Sequence, residues 1–176
     1  MRIQPYLLGN NDNEQGYYIL PATAVGASAT PADEEALLLS SFTCPNAFAA
    51  RTRSAYGVPI WQYRYFGDWP NLRLYNDSGA YHGTDLEMVF GNDVAVSGIP
   101  SSETEERMTA LMQSAWAAFA RDPEGELREE LGWPEYDSGT KSLIRLGYEN
   151  KPVAEFVRPS LYEAPCSTVE LGAYAT

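Results

Sequence analysis

Among 176 residues there is one histidine, His82, and it stands between glycines in Gly79-Ala80-Tyr81-His82-Gly83-Thr84-Asp85-Leu86-Glu87-Met88-Val89-Phe90-Gly91. An imidazole is the one side chain whose unperturbed proton affinity lies near neutrality, so His82 is the sole general-base candidate of that type. The flanking glycines allow a tight loop that could aim the ring into a cleft. The ordinary alternative is a hydrogen-bonded structural histidine, and spacing alone favours that alternative. A general base in acyl transfer works with an orienting carboxylate and a nucleophile. Glu14 is the first acid candidate, in a polar run that follows an apolar segment ending at Gly9. On local pattern it would be a solvated loop carboxylate. Asp85, three positions after His82, is a rival orienting acid, although a carboxylate in the first turn of a helix is the commoner fate of such a residue.

The elements that must position these groups are legible in outline. Residues 3–8 form a short apolar run ended by Gly9 and the cluster Asn10-Asn11-Asp12-Asn13, which predicts a buried strand entering a loop that holds Glu14. Residues 17–20 are apolar, and residues 21–31 read as a surface connection. Short helices are expected over residues 32–40 and 44–56, the second with Pro45 in its first turn. Residues 58–66, V-P-I-W-Q-Y-R-Y-F, make the clearest strand, with Trp61, Tyr63 and Tyr65 on one face and Ile60, Gln62 and Arg64 on the other. Residues 67–80 form a loop, and residues 84–90 a short helix closed by Gly91. Ser102 and Glu105 have capping-box spacing ahead of Met108, Leu111, Met112, Ala115, Trp116 and Phe119, a helical core stripe ended by Asp122-Pro123. Two strands around Asn150-Lys151-Pro152 complete the chain.

Composition narrows the partners. With 24 acidic and 12 basic residues the net charge is −12, and no basic cluster interrupts it, so nucleic acid is an unsuitable partner. A hydrophobic fraction of 44% supports a packed core, yet no apolar run is long enough for a transmembrane segment. Residues 1–10 contain no hydrophobic stretch with a cleavage site, so no signal peptide is read there, and the compartment stays open. Cys44 and Cys166 match no metal-ligand spacing, and with one histidine no metal or other cofactor is expected. Spacing leaves a Cys44–Cys166 bridge and two separate thiols equally open. A bridge would restrict the unfolded chain by roughly 4–5 kcal/mol in the loop-entropy description and would imply an oxidising compartment.

The segment from Gly79 to Gly91 resembles the histidine motif of type-B carboxylesterases, G-x-x-H-G-x-(D/E)-(L/I)-x-x-V-F-G, found in cholinesterases and secreted fungal lipases. Leu7-Leu8-Gly9-Asn10-Asn11-Asp12-Asn13-Glu14-Gln15-Gly16 resembles the same family's acid loop, in which the triad Glu follows the strand-ending glycine by five positions. The family has glycine directly after that Glu, whereas here Gln15 intervenes before Gly16. Phe42-x-Cys44-Pro45, Trp133-Pro134 and Cys166 extend the likeness over nearly all 176 residues. The resemblance implies an α/β fold, with residues 1–176 the C-terminal part of an α/β-hydrolase: its last sheet strands and their covering helices. It implies Glu14 and His82 as acid and base of a Ser-Glu-His triad, Tyr17 and Tyr18 as residues lining the substrate passage, and a Cys44–Cys166 disulfide. Core packing at a helix start is the equal alternative for the two tyrosines. The implied reaction is hydrolysis of carboxylic esters, by a parent that the resemblance places outside the cell.

The nucleophile elbow G-x-S-x-G and a glycine-rich oxyanion loop do not occur in these residues. Gly26-Ala27-Ser28-Ala29-Thr30 lacks the final glycine and follows Glu14, so Ser28 reads as a loop serine. The expectation is therefore an ester-hydrolase portion with little activity alone, needing the N-terminal portion before it can take an ester substrate. Self-association through an exposed sheet edge is expected as well. Two other readings are a non-catalytic cholinesterase-like interaction module and a carbohydrate- or lipid-binding domain using the aromatic strand face. Asn76-Asp77-Ser78 is a glycosylation sequon that matters only on a secretory route.

Overall fold

A computed structural model describes residues 4–169, so Ile3, with which the first predicted strand began, lies outside the described residues. Four strands form one sheet in the order β1-β2-β3-β4: β1 is Tyr6–Asn11, β2 Ile60–Tyr65, β3 Leu143–Leu146 and β4 Ala154–Val157. β1 runs parallel to β2, and β2 to β3, while β4 returns antiparallel. The register places Gly9 opposite Tyr63. A Cβ on Gly9 would stand 2.5 Å from the Tyr63 ring, so glycine lets that ring lie across β1.

Both faces of β2 are buried, as a central parallel strand requires. Trp61 and Tyr65 join Met88, Met108, Met112, Leu127, Ile144 and Leu146 in the main core, and Ile60 packs with Ala50 and Tyr136 on the other face. Of the three rings on the aromatic strand face, Trp61 and Tyr65 are fully enclosed and cannot stack on a sugar, while Tyr63 is half-buried. The outer edge of β1 has no strand partner among the described residues, and Asn46 donates from Nδ2 to the Gly9 carbonyl at 2.8 Å.

Seven α-helices occur among the described residues: α1 Gln15–Ala24, α2 Pro31–Leu38, α3 Cys44–Ala55, α4 Thr84–Phe90, α5 Asp93–Ser97, α6 Glu103–Arg121 and α7 Ser160–Glu163. α1 corrects the expected loop at Glu14 and the connection expected from residue 21. Glu14 has helical backbone angles at the N-cap, and the helix continues through Pro21 to Ala24. Proline there removes one internal hydrogen bond, which is why local propensity predicts an earlier stop. α2 and α3 are linked through a π-helical stretch, Leu39–Thr43, and a second one follows α6 at Pro123–Glu130. α6 begins at the predicted capping box, with reciprocal bonds between Ser102 and Glu105. The expected final hairpin is present, with a 3-10 turn at Tyr148–Asn150 between its strands.

Cys44 and Cys166 are disulfide-bonded, which ties the start of α3 to the 3-10 turn Ala164–Ser167. No helix among the described residues is long and apolar enough to cross a membrane.

Candidate active site

Parallel β1 and β2 deliver their following loops to the same sheet edge. After β1, Asp12 donates its backbone N–H to the Tyr65 carbonyl at 2.8 Å, and Asn13 donates to the Ala80 carbonyl at 2.9 Å. A parallel bridge between Asn13 and Tyr81 thus continues the pairing beyond both strands. The residues that come next, Glu14 and His82, are neighbours in space although 68 positions apart in the chain.

Glu14 turns its carboxylate back from α1 instead of capping it. Oε1 accepts the Asn11 backbone N–H at 2.7 Å, and Oε2 accepts from His82 Nδ1 at 2.6 Å. The carboxylate side chain is 6% exposed and the imidazole 45% exposed, so a buried acid holds an outward-facing ring. Burial raises the proton affinity of Glu14 above the usual carboxylate range. The Asn11 N–H and His82 oppose that rise, and the Asp85 charge adds to it. An acceptor at Nδ1 leaves the neutral ring's Nε2 lone pair pointing away, and among the described residues nothing hydrogen-bonds Nε2.

The backbone around His82 needs its glycines. Gly83 has φ +88° and precedes α4, a conformation that side-chain-bearing residues rarely adopt. Gly16, one position later than in the family pattern, packs where a Cβ would stand 2.4 Å from the Asn13 side chain. The extra Gln15 is absorbed as the first residue of α1.

Three aromatic rings surround the imidazole. Tyr18 and Phe42 lie with centroids 5.4 Å from it, and Tyr17 lies at 6.3 Å. Tyr17 and Tyr18 are both exposed in this chain. Sequence alone marks Phe42 only as part of the cysteine motif. It reaches the ring because the π-helical stretch places it there, and local periodicity carries no signal of that geometry. Asp85 is in the first turn of α4, as its position suggests, but accepts from Asn11 Nδ2 at 3.1 Å and Tyr63 Oη at 2.9 Å. It is not the carboxylate bonded to His82.

Beside this site lies a groove of about 640 Å³ between α1 and the 67–80 loop, lined by Asp12, Gln15, Phe66, Tyr75 and Asn76 among others. Asn76 of the sequon is exposed, in a turn where Asp77 has φ +61°. Ser28 lies on an exposed connection between α1 and α2, far in sequence from either parallel strand's end.

A parallel sheet that brings a carboxylate and then an imidazole to its C-terminal rim, on successive parallel strands, is the arrangement of α/β-hydrolases. Two solved esterase structures share this fold: a PNB esterase, with TM-score 0.65 and 22% identity, and a thermophilic PNB esterase, with TM-score 0.65 and 20% identity. Each alignment covers 86% of this chain, and 36% and 35% of the respective esterase chains. The model of the carboxylesterase family matches residues 10–165, and the chain belongs to that family. Secreted lipase 5 of Gibberella zeae is 33% identical over 155 residues, covering 84% of this chain and 28% of the lipase. Chlorogenic acid esterase of Aspergillus niger is 28% identical, covering 60% of this chain and 23% of that enzyme. Liver carboxylesterase B-1 of Rattus norvegicus is 28% identical over 104 residues. The chain spans about a quarter of the length of the first two of these relatives.

Proposed function

We propose that residues 1–176 are the C-terminal portion of a type-B carboxylesterase and carry the acid and base of its Ser-Glu-His triad, Glu14 and His82. The observation that carries this reading is the 2.6 Å bond from His82 Nδ1 to buried Glu14, with Nε2 left free beside exposed aromatic rings. In the reaction, Nε2 takes the proton of a serine hydroxyl as its oxygen attacks the ester carbonyl. The charged Glu14 fixes the tautomer and stabilises the imidazolium. That imidazolium then returns the proton to the departing alkoxide, leaving an acyl-serine. Water, activated by the same Nε2, releases the acid. Tyr17, Tyr18 and Phe42 supply an apolar wall for the ester's hydrocarbon part.

The serine elbow and the oxyanion donors come from an N-terminal portion that pairs with the outer edge of β1. Without it the chain has a base and no nucleophile, so it does not turn over esters, and the same open edge is where copies associate.

The test joins this chain to the N-terminal portion of a family esterase and measures p-nitrophenyl ester hydrolysis. The joined protein is expected to turn over, and His82→Ala to reduce turnover by roughly a thousandfold or more. The chain alone should neither hydrolyse the ester nor be labelled by a serine-directed phosphonate. Normal rates in His82→Ala, or labelling of the isolated chain, would refute the assignment. A joined protein that folds but stays inactive would favour a non-catalytic interaction module.

A further inference from the structure

Beneath the acid–imidazole pair lies a set of polar groups that the proposed chemistry leaves unused. Asn11 is 1% exposed and makes three kinds of contact at once. Its backbone N–H donates to Glu14 Oε1 at 2.7 Å. Its side-chain Nδ2 donates to the Tyr81 carbonyl at 2.7 Å and to Asp85 Oδ1 at 3.1 Å. Tyr81 is the residue immediately before His82, and its carbonyl also accepts from the backbone N–H and hydroxyl of Thr84, at 3.1 and 2.8 Å. One asparagine therefore joins the acid loop to the histidine loop across 70 residues of chain.

The orientation of its amide is dictated by its surroundings. Two acceptors, a carbonyl and a carboxylate, face Nδ2, while Oδ1 is buried without any partner. Turning the amide over would set its oxygen against both acceptors, so the orphaned Oδ1 is what it costs to hold the nitrogen in place. Asp85 is held in turn. Its other oxygen accepts the Tyr63 hydroxyl, and the Tyr63 ring is fixed over Gly9 and against Trp116 with centroids 5.0 Å apart.

We infer that Asn11 and Asp85 form a positioning clamp that sets the distance between Glu14 and His82, with Tyr63 as its anchor in the sheet. This rests on the reading of Glu14 and His82 as an acid–base pair. None of the three touches the reacting atoms; they act through the spacing of the two loops. A carboxylate beside Glu14 would be a liability for charge alone, and its placement is explained by the amide it orients.

The single histidine makes the test direct. In the ¹⁵N-labelled 176-residue chain, at a pH well above the ordinary imidazole range, the His82 Nδ1–H proton is observed by NMR and its exchange with water is measured. The native chain should show a protected Nδ1–H. In Asn11→Ala and Asp85→Ala the protection should be lost, and in Tyr63→Phe, which removes one hydroxyl, exchange should accelerate roughly tenfold. Ile144→Val trims the core without touching the clamp and should leave the proton protected. Tyr63→Phe retains the ring, so it keeps the test open if either alanine variant fails to fold. Protection retained in folded clamp variants would overturn the clamp while sparing the acid–base pair. Equal loss in Ile144→Val would reduce the clamp to general stability and overturn it too. Absence of a protected proton in the native chain would overturn both.

Discussion

Glu14 and Glu163 are both buried glutamates, both with proton affinity raised by burial, and they differ in what they face. Glu14 has each oxygen occupied, one by the Asn11 backbone and one by a half-exposed imidazole. Glu163, at the end of α7, accepts the Tyr136 hydroxyl on Oε2 at 3.3 Å, with Gln62 and the Arg51 charge opposing the effect of burial, and no imidazole faces it among the described residues. Desolvation alone therefore does not mark a functional acid. What sets Glu14 apart is its 2.6 Å bond to a half-exposed imidazole, the contact on which the proposed acid–base role rests.

The largest effect that would sharpen this contrast is structural. The Cys44–Cys166 bridge fastens the Glu163 side, with Cys166 three residues after Glu163, to the start of α3, two residues after Phe42. Replacing both cysteines by alanine should lower stability by about 2–5 kcal/mol, read by chemical denaturation. Hydrogen exchange should rise first around α7 and the adjoining 3-10 turn, while the amides of Asn11 and Asn13 stay protected. Simultaneous loosening of both regions would break the separation between them.

A smaller effect belongs to the rim. Phe42→Ala in the joined protein removes a ring in contact distance of His82. Aromatic pairs of this kind contribute about 0.5–1.5 kcal/mol, so turnover should fall up to about tenfold without loss of the fold. Unchanged turnover in a folded Phe42→Ala would show that the ring does not steady the base.

The smallest effect concerns pH. A carboxyl whose proton affinity is higher in the fold than in the unfolded chain favours folding below its ordinary value of 4.5. That contribution is lost as pH rises through the folded-state value. Glu163→Gln stays neutral throughout, so its melting temperature relative to the native chain should climb between pH 4.5 and 7. A difference that stays flat over that range would remove the burial argument at Glu163.

How much of this was legible in the residues depends on range. The β2 strand and the α6 helix are written in local alternation and in the capping pair Ser102 and Glu105, where neighbouring residues decide the outcome. His82 stands out because it is unique and flanked by glycines with a family pattern around them. Glu14 is singled out only by the family resemblance, in which the acid follows the strand-ending glycine by five positions; local pattern alone reads it as a solvated loop carboxylate and hides its helical start, since Pro21 argues against the helix that follows. The clamp of Asn11, Tyr63 and Asp85 and the approach of Phe42 depend on contacts between distant segments. Asparagine in a polar run and aspartate at a helix start carry ordinary local explanations, so nothing nearby distinguishes them.

The most direct measurement compares Glu14→Gln with Glu163→Gln in the joined protein, each checked for folding, by p-nitrophenyl ester turnover under saturating substrate. Glu14→Gln should lose roughly a hundredfold or more, because an amide cannot stabilise the imidazolium, whereas Glu163→Gln should retain turnover within about threefold. Equal losses in the two variants, or a folded Glu14→Gln protein with native turnover, would contradict the account.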